Sequence, residues 1–150
     1  SFDMNGAHLH LIVNHVSLFA LLFGVVILAA NFKWGGRDVL FVAIGLFIVT
    51  GIFAWVAHLT GDAAADVLKA ALPDLDKSFI QEHDHAADFA NIAGTLTALA
   101  AIACGWIAIK MPARLKVARI VLLIIALWAS TVFARVTYLG GLIRHTEIRG

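Results

Sequence analysis

Residues 9–59 read LHLIVNHVSLFALLFGVVILAANFKWGGRDVLFVAIGLFIVTGIFAWVAHL, two apolar runs joined by Lys33-Trp34-Gly35-Gly36-Arg37-Asp38. Each run reaches the roughly 20 residues that carry a helix, rising 1.5 Å per residue, across a bilayer core about 30 Å thick. Each is apolar around its whole circumference rather than along one stripe, as in a helix surrounded by lipid and other helices. A connection this short brings the second helix back against the first, so the stretch specifies an antiparallel transmembrane hairpin.

The rest of the chain repeats the pattern. Apolar segments at about 88–109 and 117–143 join those at 9–32 and 39–59 to make four spans. The expected architecture is an all-α integral membrane protein, an antiparallel up-down four-helix transmembrane bundle occupying residues 1–150 as one domain. Composition agrees, with 61% hydrophobic residues, 14% charged and a mean hydropathy of +0.91, against roughly 45–50% and about 25% in soluble domains. A soluble monomer is excluded, and with two prolines in 150 residues so is a disordered chain. The first span lacks the leading positive charge and small-residue cleavage site of a signal peptide, since Asp3 is the only charge before Lys33. The single cysteine, Cys104, leaves no disulfide framework, CxxC zinc site or covalent haem attachment.

The middle connection, 61–81, contains Asp62-Ala-Ala-Ala-Asp66-Val-Leu-Lys69-Ala-Ala-Leu72, an amphipathic run expected to lie along the membrane interface until Pro73 stops it. Ser78-Phe79-Ile80-Gln81 has the form of a capping box, so the third helix is expected to begin near Phe79 with Glu82, His83, Asp84 and His85 in its first two turns.

Charge sets the expected orientation. The two short connections hold six of the eleven basic residues, Lys33, Arg37, Lys110, Arg114, Lys116 and Arg119, and one of the ten acidic ones, Asp38. The positive-inside rule therefore puts them in the cytoplasm and both termini on the extracytoplasmic side. A net charge of +1 with no basic face gives no reason to expect nucleic acid as a partner.

With that orientation all seven histidines, His8, His10, His15, His58, His83, His85 and His145, cluster near the outer boundary. At 100° per residue His8 and His15 share a helix face, whereas His10 and His15 differ by about 140° and serve different neighbours. Histidine is the usual axial ligand of b-type haem and a common ligand of transition metals, and bundle ligands project inward from facing helices. The candidate cofactor ligands are His10, His15, His83 and His145. Arg135, an intramembrane charge, and Arg144 are candidates for a propionate or carboxylate, and Asn14, Asp84, Asp88 and Glu147 for orienting imidazoles. Gly51, Ala54, Ala86, Ala90 and Gly140-Gly141 are the small residues that would admit a flat macrocycle.

The chain resembles an uncharacterised family of small four-helix bacterial membrane proteins. The likeness rests on His10-Leu-Ile-Val-Asn14-His15, on Thr60-Gly61-Asp62 followed by His83-Asp84-His85-Ala86-Ala87, and on Gly140-Gly141-Leu-Ile-Arg144-His145-Thr-Glu147-Ile148. The resemblance implies a multi-pass protein of the bacterial inner membrane and supplies no activity. It favours His83 over His85, where the family pattern has an acidic residue, and offers no firm counterpart to His58.

Three functional readings follow. The leading one is a membrane b-type cytochrome holding one or two haems near the outer face, passing electrons between quinol and an extracytoplasmic acceptor. The second is a zinc, copper or iron site built from His10, His15, His83, His85, His145 and Glu147. The third is an accessory subunit packed beside a larger membrane complex with no site of its own; a homo-oligomer, the other expected assembly, would argue against it. No hydrolase or phosphate-loop signature competes, and no catalytic residue is assigned.

Overall fold

A computed structural model describes residues 6–71, 73–74 and 77–144. Each apolar run is one uninterrupted helix: α1 (Gly6–Asn31), α2 (Arg37–Ala71), α3 (Lys77–Lys110) and α4 (Leu115–Arg144), the last preceded by a 3-10 turn over Pro112–Arg114. Four stretches are long and apolar enough to cross a membrane, His8–Asn31, Arg37–Gly61, Ile80–Lys110 and Pro112–Gly141.

The helices pack in chain order around a ring. α1 lies against α2, α2 against α3, α3 against α4, and a thinner seam between α4 and α1 closes it. Among the described residues the diagonal pairs, α1 with α3 and α2 with α4, come no closer than 8 Å between Cα atoms.

The inward stripes explain the packing. On α1 it is Val13, Ser17, Ala20, Leu21, Gly24, Leu28 and Asn31, a three-and-four spacing on one helix face. On α3 almost every buried position is small: Ala86, Ala90, Ala93, Gly94, Thr97, Ala101, Cys104, Gly105 and Ala108. Small residues let neighbouring backbones approach, the main source of helix association where lipid removes the hydrophobic drive. Gly51 on α2 packs so tightly on α3 that a Cβ there would sit 2.6 Å from the Ala98 Cβ and 3.1 Å from the Gly94 carbonyl. Gly51 and Ala54 are thus spent on the α2–α3 contact. The outward surface is the apolar one: Phe23 is 59% and Val26 64% exposed, against 0% for Leu21 and Leu28. That is a surface suited to acyl chains.

Two expectations about the middle connection change. Residues 61–81 do not form a separate interfacial element, because α2 runs through Thr60-Gly61-Asp62 to Ala71. The Thr60 hydroxyl donates back to the Val56 and Ala57 carbonyls at 3.0 and 3.2 Å, and the alanines after Asp62 are the strongest helix formers, so one glycine does not break the helix. At 35 residues α2 is about 52 Å long, well beyond a bilayer core. α3 begins at Lys77 rather than near Phe79, putting Ser78 in its first turn. α2 and α3 therefore project together past the spans as a helical hairpin.

Candidate functional site

At the end of the bundle away from the two short connections, two of the expected histidines face each other's helices and the rest lie apart. His10 of α1 and His83 of α3, on diagonally opposed helices, lie within electrostatic reach of each other across the ring, with Asp84 in reach of both.

His10 is held from α2. Its Nδ1 is 3.0 Å from Thr60 Oγ1. The Thr60 hydroxyl proton is committed to a backbone carbonyl, so the His10 Nδ1–H donates and Thr60 Oγ1 accepts. The lone pair then falls on Nε2, towards which Asn14 Nδ2 points from one turn away at 3.4 Å. Both contacts agree on one tautomer. Gly61 lies against the same ring, where a Cβ would be 3.7 Å from Cε1.

His83 is held from α4. A Cβ at Gly140 would lie 3.6 Å from its Cε1 and 3.9 Å from its Nδ1. The Val136 carbonyl, one turn earlier, lies on the same side of the ring. The His83 Nδ1 is buried without a hydrogen-bond partner. A Cβ at 140 would make ordinary van der Waals contact with the ring. Holding one ring nitrogen by a hydroxyl, as Thr60 holds His10, is a usual way for a protein to orient an imidazole.

The other candidates lie elsewhere. His15 turns outward, as its angular offset from His10 predicts. Its Nδ1–H donates to the Leu11 carbonyl at 2.7 Å, and its ring begins a ladder with Phe19 and Phe23, centroids 6.3 Å apart at each step. His85 and Arg135 line a lateral groove between α3 and α4 with Glu82, Ala86, Phe89 and Val132, away from the His83 ring. Asp88 pairs with His58 across α2 and α3 at 3.5 Å, rather than with Arg135 or either central histidine. The glycine pair produces no kink: α4 is helical through both, and nothing lies within 4 Å of a Cβ at Gly141. Arg144 ends α4, and His145 and Glu147 lie outside the described residues. Among the described residues no three His, Cys, Asp or Glu side chains are arranged to hold a metal ion.

Thr60, Gly61 and Val136 were not among the expected site residues. Hairpin register could have found Thr60: counting equally in both directions from the first connection, centred near residue 35, sets Thr60 opposite His10.

Fold and surface define a multi-pass, all-helical membrane protein of four spanning helices. No known protein family, characterised protein or solved structure matches the chain.

Proposed function

We propose that the chain is a membrane-embedded b-type cytochrome in which His10 and His83 hold one haem at the extracytoplasmic end of the bundle. The observation that carries this reading is the buried Nδ1 of His83, which has no hydrogen-bond partner, a cost of about 1–3 kcal/mol that persists only where something offsets it. His10, on the diagonally opposed helix, has its Nδ1 held by Thr60 at 3.0 Å and only a long 3.4 Å contact from Asn14 at Nε2.

The donor set fits haem better than a bare ion. A macrocycle supplies four ligands of its own and asks the protein for two, whereas a protein-held zinc or iron site generally takes three or more side chains. Bound there, haem would supply reversible one-electron exchange. The chain's own contributions would be imidazole nitrogens from α1 and α3, with the His10 ring oriented through Thr60. Asp84 places negative charge near both rings. The reading also puts the basic connections in the cytoplasm, the protein in a bacterial inner membrane, and quinol and an extracytoplasmic acceptor as its electron partners. The charge asymmetry supports the orientation and the family resemblance the inner membrane; the electron partners follow only from the one-electron chemistry proposed.

The test is a reduced-minus-oxidised visible spectrum of the detergent-purified chain, with elemental analysis of the same sample. A low-spin bis-histidine haem spectrum is expected in the native chain and in His15→Ala and His85→Ala, and is lost in His10→Ala and His83→Ala. A colourless protein, stoichiometric zinc or copper in place of haem, or a haem spectrum that survives both central substitutions would overturn the reading.

A further inference from the structure

The lateral groove between α3 and α4 has a chemistry of its own. It encloses about 370 Å³ and is lined by Glu82, His85, Ala86, Phe89, Val132 and Arg135. Arg135 lies within the α4 span, and its side chain is exposed on the outside of the bundle. Among the described residues no carboxylate reaches ion-pair distance of it, and the nearby Asp88 is engaged by His58. A guanidinium at a lipid-facing position is costly unless an anion or water meets it.

The order of groups along the groove indicates which anion. Gly140 and His83 are level with each other. Counting 1.5 Å per residue from that level, Glu82 stands about 1.5 Å outside it, at the outer rim, and His85 about 3 Å inside it. Arg135, Phe89 and Val132 follow at about 8, 9 and 12 Å. From water towards the bilayer centre the groove thus presents a carboxylate, an imidazole, a guanidinium and then apolar surface, with Phe89 62% exposed. An aminophospholipid carries its groups in the complementary order: ammonium outermost, then phosphodiester, then acyl chains.

We propose that this groove binds a phospholipid of the phosphatidylethanolamine type, its phosphate on Arg135, its ammonium on Glu82 and an acyl chain over Phe89 and Val132. The planar fork of arginine suits a phosphate. The Glu82 carboxylate selects a head group whose cation can donate hydrogen bonds, which disfavours choline, and repels one that carries only negative charge, which disfavours glycerol. The site is separate from the His10–His83 pair and does not depend on haem there.

The full chain, delipidated in mild detergent, is offered equimolar phosphatidylethanolamine, phosphatidylcholine and phosphatidylglycerol with matched acyl chains, and bound lipid is counted by native mass spectrometry. The native chain is expected to retain phosphatidylethanolamine at least about threefold over either competitor, the size of a partly exposed ion pair. Glu82→Gln should abolish that preference while phospholipid still binds. Arg135→Gln should reduce retention of all three, and Arg135→Lys, which keeps the charge without the fork, should restore part of it. Both side chains are exposed, so helicity and monodispersity are expected to hold. Equal retention of the three lipids by the native chain, a preference for phosphatidylglycerol, or selectivity unchanged in both Gln variants would overturn the proposal.

Discussion

The His10 ring shows how a single hydroxyl can decide what an imidazole offers. Thr60 Oγ1 accepts from Nδ1 while its own proton goes to the helix backbone, so the lone pair is on Nε2, which Asn14 Nδ2 approaches at 3.4 Å. Thr60→Val keeps the side-chain shape and removes the acceptor. The expected result is a ring that samples both tautomers, read from the ring ¹⁵N shifts of His10 in detergent, with about 1 kcal/mol lost from stability. A native ring already protonated on Nε2 would show that Thr60 does not set it. At the opposite end Arg119 offers a second test. Its Nη1 donates to the Asn31 carbonyl and Oδ1, both at 3.0 Å, and its guanidinium lies 4.7 Å over the Phe32 ring, while its Nε is buried without a partner. Asn31 Nδ2 in turn donates to the Gly36 and Trp34 carbonyls at 3.0 and 3.3 Å. Asn31→Ala therefore strips the turn of two bonds and Arg119 of one, and about 2–3 kcal/mol is expected to be lost in a denaturation series in mixed micelles. A loss under about 0.5 kcal/mol, the range of ordinary surface changes, would mean the clamp is dispensable.

At the scale of the helix, glycines with the same name do different work. Gly51→Ala drives a methyl into the α3 backbone at the Gly94 carbonyl and against Ala98, atoms that cannot swing aside. The helices must part, at a cost of about 1–3 kcal/mol. Gly45→Ala meets nothing within 4 Å and should be neutral or stabilising by up to about 1 kcal/mol from helix propensity. Thermal unfolding of the two variants side by side is the check, and equal effects would refute tight α2–α3 packing. Sequence alone reads the four helices easily, because lipid solvation demands length and apolarity in every span. It does not say which of two equally apolar faces turns inward, and that is why Gly51 and Ala54 could be taken for cofactor clearance. The extension of α2 to Ala71 was hidden for a related reason: Thr60-Gly61-Asp62 carries breaker residues, and only the backbone bonds of Thr60 show the helix continuing. The angular offset of His10 from His15 was legible, and the structure turns the two rings to different surroundings.

For the whole molecule the placement of the two central histidines matters more than their number. Among the described residues no Cα of α1 comes within 8 Å of one of α3, and the α4–α1 seam is the thinnest in the ring. A group ligated by His10 and His83 would therefore tie together helices whose backbones the bundle holds apart. Binding to the folded bundle alone raises its stability by about 2.7 kcal/mol when the group is present at a hundred times its dissociation constant. For a chain of this size that is roughly 5–10 °C in Tm. The haem-loaded native chain is expected to melt higher than the unloaded chain by such an increment. His10→Ala and His83→Ala should each lose nearly all of it, and the double variant no more than either alone, because a bis-axial link fails when either end is cut. His15→Ala should keep the increment, since that ring faces the Phe19–Phe23 ladder on the outer surface. Losses that add in the double variant would indicate two independent sites instead of one shared group. An increment that disappears with His15 would move the ligand to the outer face of α1.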